Sequence, residues 1–235
     1  ADQQNSTVFN SRGRLSQADY ALQTVSLSEP IVAIKTKNRV CIITRKTETD
    51  EDKTSTGSSD LFVIDKSLGL AGCGLKTDLK IIVKRARKIA KNFSFVFGRQ
   101  ISANLLTVEL SNIFQEFTYS GGVRPFALSI FVIGFDSEGP SLFQIIPDGN
   151  IFCIKANIIG KNAFQGKQYL TKRWNKDLSF EETITTGFLC LKEATEGRLE
   201  SSEINVAIID ANSSLKLLNR NEIKPIILNI DKLNK

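Results

Sequence analysis

The sequence predicts an α+β chain arranged as a four-layer αββα sandwich, on three observations. Short apolar runs rich in Val, Ile and Phe come in neighbouring pairs joined by tight turns, the pattern of antiparallel strands. Two separate stretches each hold a pair of long amphipathic helices. The order along the chain is strands, two helices, strands, two helices, strands. Two stacked antiparallel sheets, each covered on its outside by a helical pair, satisfy that order. The chain has 235 residues, and a single domain of that size buries roughly 70 % of its unfolded surface.

The first element is a helix opened by the turn residue Gly13, with Ser16 as its N-cap, and with Tyr20, Ala21, Thr24, Val25 and Leu27 recurring at helical spacing. Ile31–Lys35 and Val40–Thr44 read as two strands joined by a turn over Thr36–Arg39. Thr47 to Ser59 holds Thr, Ser and acidic residues with no apolar side chain, and reads as an exposed loop. Leu61–Ile64 and Leu68–Cys73 form a second pair around Asp65-Lys-Ser67. The first long helix runs from Thr77 to Phe95, and the second from Ser102 to Thr118 with a stripe of Leu106, Leu110, Ile113, Phe114 and Phe117. After the break at Ser120-Gly-Gly122, Ala127–Phe135, Ser141–Ile146 and Ile151–Ala156 read as strands. Helices follow over Ala163–Trp174 and Phe180–Thr195, the latter with Phe180, Ile184, Phe188 and Leu191 facing inward. Strands at Asn205–Ile209 and Leu215–Leu218 and a short helix near Asn221 close the chain.

Histidine is absent, which removes Ser-His-Asp and Cys-His nucleophile systems and His-containing zinc sites. The four cysteines, Cys41, Cys73, Cys153 and Cys190, lie far apart in apolar runs and read as buried reduced thiols. No apolar run reaches the roughly 20 residues needed to span a bilayer, and the start lacks the apolar stretch of a signal peptide. These features point to the cytoplasm or nucleus, with no membrane partner. The net charge is +6, which raises a nucleic-acid reading. The densest basic run, Lys80 to Lys91, lies opposite the helical face of Leu79, Ile82, Val83, Ala86, Ile89, Ala90 and Phe93. No aromatic residue interleaves with those charges, so the stacking half of a single-strand site is missing. A solvated or partner-facing surface is the plainer reading, and a basic nucleic-acid-binding protein stays as the alternative.

The stretch Phe9 to Ala21 resembles the N-terminal signature of the alpha-type subunits of the 20S proteasome, Phe-Ser-Pro-x-Gly-Arg-Leu-x-Gln-Val-Glu-Tyr-Ala. Phe9, Gly13, Arg14, Leu15, Gln17, Tyr20 and Ala21 match; Asn10, Ser11, Ala18 and Asp19 depart, the last keeping the charge. Further matches are Gly72-Cys-Gly74-Leu75-Lys-Thr-Asp78 with Val83 to Arg87, Gln115 to Phe126, and Pro147-Asp-Gly149 with Lys155-Ala156 and Gly160-Lys161. Ile154 stands where the family usually has tryptophan. Lys161 to Leu178, Ser120 to Phe126 and Leu191 to Gly197 look most like the second of the seven alpha types.

The resemblance implies one domain: a gate tail over residues 1–8, a turn and helix over 9–28, and the sandwich, of Ntn-hydrolase type, over 29–235. It implies a structural ring subunit without cofactor or metal, working in ubiquitin-dependent protein degradation. Its partners would be other alpha and beta subunits, with the first and third alpha types as ring neighbours, and ATPase or other activator caps. Phe9, Gly13, Arg14, Leu15, Gln17 and Tyr20 would serve the gate and ring contacts. Asp60, Gly74 and Leu75 would form one wall of an activator-tail pocket, with Asp19 and Tyr20 on the wall offered to the neighbour. Many alpha subunits carry lysine at the Asp60 position, so an aspartate is expected to weaken tail binding by like charge.

Proteolytic relatives attack with an N-terminal threonine at the head of the first strand. Overlaying that pattern puts Glu29 at the nucleophile position, Arg45 at the orienting aspartate and Asp60 near the assisting lysine. Each is chemically wrong for its task, so an active Ntn hydrolase is the least favoured alternative.

Overall fold

The structure, a computed structural model, describes residues 11, 13, 15–46, 60–120, 122–197, 199–211 and 214–233. The tail over residues 1–8 and the acidic loop over 47–59 lie outside them. Chain order is α1 (Ser16–Leu27), β1 (Ile31–Lys35), β2 (Arg39–Arg45), β3 (Leu61–Asp65), β4 (Leu68–Gly74), α2 (Lys76–Phe97) and α3 (Ala103–Tyr119). Then come β5 (Leu128–Asp136), β6 (Gly139–Ile145), β7 (Ile151–Cys153), β8 (Ala156–Ile159), α4 (Ala163–Arg173) and α5 (Phe180–Ala194). The last elements are β9 (Ile204–Asp210), β10 (Lys216–Leu217) and α6 (Arg220–Leu233).

Two five-stranded sheets result, ordered β10-β9-β2-β1-β8 and β3-β4-β5-β6-β7, with antiparallel pairing throughout. Three apolar layers hold them. Between the sheets lie Ile31, Ala33, Ile42, Leu61, Ala71, Phe131 and Ile133. Ile34 and Ile43 pack outward on Ile184 and Leu191 of α5. Leu70 and Ile130 pack outward on Ile82, Leu106 and Phe114 of α2 and α3. Strands buried on both faces are the reason β1, β2, β4 and β5 read as continuous apolar runs rather than as alternating ones. One polar thread crosses the inter-sheet layer: Asn157 Nδ2 donates to Gln144 Oε1 at 2.6 Å, Gln144 Nε2 to Ser129 Oγ at 3.2 Å, and Ser129 Oγ to the Ile145 carbonyl at 3.0 Å. It ties β8 of one sheet to β5 and β6 of the other, and a misplaced strand leaves those groups unpaired.

Several expectations are corrected. The single strand over Ile151–Ala156 is two strands in different sheets: Cys153 pairs with Phe143 and Ala156 with Ile34. The chain passes from one sheet to the other at Ile154, whose N–H donates to Leu142, and Lys155, whose carbonyl accepts from Lys35. Cys153 is consequently exposed on an edge strand, while the other three thiols are buried. Ser16 is the first helical residue and not the cap; Leu15 holds that position without a side-chain bond. Only Ala21 and Val25 of α1 are buried, while Tyr20 and Leu27 are 57 % and 71 % exposed. The C-terminal helix is a full element and runs through Pro225. In α2 the basic face is not wholly solvated, since Arg87 donates to the Val63 carbonyl and Arg85 lies over the Phe117 ring.

Candidate functional site

The head of β1 is flanked by helix α1 on one side and by a cavity on the other. Helix α1 packs across β4 and β5 there, and Val25 enters the inter-sheet core beside Ile31 and Ala71. The Cys73 thiol on β4 donates to the carbonyls of Val25 and Glu29, at 3.5 and 3.3 Å. Burial first, and then the charges of Asp60 and Glu29, push that thiol up to about 12, so it acts as a pin for the helix and not as a nucleophile.

Beside it lies a cavity of about 290 Å³ lined by Glu29, Arg45, Lys161, Asn162, Thr195 and Glu196, among others. Arg45 bridges Glu29 at 3.9 Å and Glu203 at 3.5 Å. The overlay thus brings Glu29 and Arg45 together, whereas Asp60 is not among the cavity's lining residues. Acyl transfer of the N-terminal type needs a nucleophile carrying its own free amine as base. Glu29 has neither: its nitrogen is an amide within the chain, behind α1. The one hydroxyl in the lining, Thr195 Oγ1, hydrogen-bonds to the Leu191 and Lys192 carbonyls at the end of α5. The cavity is equipped for ion pairing.

A second surface forms at the start of α2. The β3–β4 hairpin pairs Leu61 with Ala71, and the Gly72 N–H donates to the Asp60 carbonyl at 3.0 Å. This sets Asp60 beside the end of β4. Its carboxylate is largely buried and lies 3.7 Å from Lys76 Nζ, itself half exposed. Gly74 has φ +136°, and a Cβ there would lie 2.2 Å from the Ala127 carbonyl oxygen. The Leu75 N–H donates to that same oxygen at 2.9 Å, and the Leu75 side chain is 40 % exposed. Within the first turn, Asp78 is 2 % exposed. It accepts both Arg124 terminal nitrogens at 2.7 Å and the Ala127 N–H at 3.0 Å, and its charge suits a helix N-terminus.

The structure therefore places Asp60, Gly74 and Leu75 close together around the start of α2, with Asp60 buried and Leu75 partly exposed. Asp19 is half-buried and Tyr20 exposed on α1. Gly13 has φ +70°, and Leu15 and Gln17 are half-buried. Phe9 and Arg14 lie outside the described residues. Sequence reasoning missed Lys76 as the cation beside Asp60, and the Asp78–Arg124 clamp. Counting back along the hairpin register from Ala71 to Leu61 finds the first; nothing local announces the second, whose partners lie 46 residues apart.

Comparison with known proteins follows the same lines. Residues 25–209 match the family described as Proteasome subunit. The chain is 38 % identical over 225 residues to "Proteasome subunit alpha type-2" of Dictyostelium discoideum, covering 95 % of this chain and 96 % of that one. It is 35 % identical over 211 residues to the Drosophila melanogaster protein of the same name, covering 90 % of each. With the "Probable proteasome subunit alpha type-2" of Schizosaccharomyces pombe it shares 34 % over 204 residues, 86 % of this chain and 83 % of that one.

Proposed function

The chain belongs to the proteasome subunit family, on its alpha side, and from that premise we propose that it is a non-catalytic wall subunit of the outer ring of the 20S particle, of the second alpha type. One observation supports this above the rest. Where a catalytic relative would carry a terminal threonine, this chain continues through Glu29 into a helix pinned on β4 by Cys73, and Arg45 pairs with Glu29. A position that needs a free amine is instead built into the wall.

Seven such subunits close a ring by head-to-tail contacts, stacked on a beta ring that degrades proteins delivered by the ubiquitin route in cytoplasm and nucleus. The first and third alpha types would flank it. Residues 1–8 would contribute to the axial gate, with Phe9, Gly13, Arg14, Leu15, Gln17 and Tyr20 at the gate and ring contacts. ATPase or other activator caps would seat their C-terminal tails between Asp60, Gly74 and Leu75 on this chain and the Asp19–Tyr20 wall of a neighbour's α1. Lys76 sits 3.7 Å from the Asp60 carboxylate and offsets part of its repulsion, leaving a weak acceptor of tail carboxylates.

Native mass spectrometry of the particle from its own cells should find this chain in rings of several hundred kilodaltons, whereas the chain alone is 26.1 kDa. The isolated chain should cleave no fluorogenic peptide. A monomer in extracts, or cleavage abolished by replacing one threonine, overturns the reading. Tail-peptide binding should strengthen several-fold with Asp60→Lys; tight binding indifferent to that change removes the pocket assignment.

A further inference from the structure

On the other sheet, the edge of β8 and the exposed side of α4 enclose a groove of about 380 Å³ lined by Lys155, Ala156, Lys167, Leu170, Thr171 and Trp174, among others. Strand β8 ends its sheet order, so among the described residues its outer backbone edge has no strand beside it. The floor is apolar, with Leu170 only 4 % exposed. The Trp174 ring is fixed by donation from its Nε1 to the Lys35 carbonyl at 2.9 Å, and Lys155 Nζ lies 5.4 Å from the ring centroid. Lysines stand on both rims, Lys155 from the crossover just before β8 and Lys167 from α4, and no carboxylate lines the groove. Helix α4 itself reads AFQGKQYLTKR, with no acidic residue.

We propose that this groove binds an acidic, extended peptide segment. The segment's backbone adds to the β8 edge, as strands do at exposed sheet edges. An apolar side chain rests on Leu170 and Trp174. Carboxylates on either side of it pair with Lys155 and Lys167. An open sheet edge and an aliphatic floor are features of peptide recognition; nucleotide stacking would need a bare aromatic platform, and Lys155 already lies over Trp174. The proposal stands apart from the Asp60–Leu75 wall and from ring membership, because binding is measured on the chain itself.

The chain has a single tryptophan, Trp174, so its intrinsic emission reports on the groove alone. Titration of the full chain with a short capped peptide, two leucines flanked by aspartates, should give a saturable change in that emission that weakens as salt is raised. Lys155→Glu with Lys167→Glu should cost about tenfold or more in affinity, consistent with truncating or reversing close charge pairs. Lys155→Gln with Lys167→Gln keeps the aliphatic stems and should cost several-fold, which carries the test if the reversed pair does not fold. Lys80→Glu with Lys84→Glu on α2 should change nothing. The idea is overturned by a silent tryptophan, by equal binding of a peptide with lysines for aspartates, by indifference to both lysine pairs, or by tighter binding of oligouridylate at the same site.

Discussion

Replacing Gly74 by alanine tests how the wall at the start of α2 is held. Two costs are set by the geometry. At φ +136° an L-residue is strained, by about 1–3 kcal/mol. The new methyl would meet the Ala127 carbonyl oxygen at 2.2 Å, so one backbone segment must move. That movement strains or breaks the Leu75 N–H bond to the same oxygen, worth about 1 kcal/mol, and shifts packed neighbours at a further cost of about 1 kcal/mol. The sum is about 4 kcal/mol, which in a chain of this size lowers Tm by roughly 8–16 °C. Gly98 supplies the control. It caps α2 at φ +64° with nothing within 4 Å of its added Cβ, so Gly98→Ala carries conformational strain alone, about 1–2 kcal/mol or roughly 2–8 °C. Thermal unfolding by circular dichroism reads both. If Gly74→Ala is no more harmful than Gly98→Ala, the contact with Ala127 does not position this wall and the reasoning fails.

Arg124→Ala should cost about 2–3 kcal/mol in chemical denaturation, allowing for the half-exposed guanidinium, because it strands the buried Asp78 carboxylate. Adding Asp78→Asn should restore part of that loss, and a double variant less stable than the single one refutes the account. Cys153 should react first with a thiol reagent in the native chain, while Cys41, Cys73 and Cys190 wait for unfolding. Burial pushes those three thiols from an ordinary 9.0 up to about 12. The unfolded chain therefore releases their protons first, so stability should be full below about pH 9 and fall as pH rises toward 12; a triple Cys→Ala variant with an unchanged alkaline limb counts against this. At the start of α5, Ser179 and Glu182 exchange bonds, the Ser179 hydroxyl accepting the Glu182 N–H and the Glu182 carboxylate the Ser179 N–H. Ser179→Ala should cost about 1 kcal/mol. Those Ser179 bonds hold the Glu182 carboxyl below its ordinary value, so its share is present above pH 4.5 and lost as pH falls through the lowered value; a cap insensitive to acid would be contrary.

The layered order was legible because the helices carry a helical apolar period and the strands come as short paired apolar runs: α2 hides Leu79, Ile82, Val83, Ala86 and Ala90 as its spacing predicts. The absence of histidine and the stretch of chain ahead of Ile31 were equally plain, and both bear on chemistry without any coordinates. The family signature beginning at Phe9 is local too, as is the clustering of Asp60 with Gly74, once the hairpin is counted out.

Periodicity states which side of an element is buried and is silent about what lies across from it. The run from Ile151 to Ala156 is apolar but for Lys155, yet it feeds two sheets, because only the pairings of Cys153 with Phe143 and Ala156 with Ile34 decide where one strand stops. That division exposes Cys153 and leaves β8 as an edge beside α4. The clamp of Arg124 on Asp78 and the seating of Val25 beside Phe131 and Ile133 are likewise contacts between residues distant in the chain. Composition and spacing marked the buried faces of the long helices and, with no histidine in the chain, removed histidine-based nucleophile chemistry. Which charges meet, which thiol faces water and which edge stays open came only with the packing of the two sheets, since those depend on partners distant in the chain.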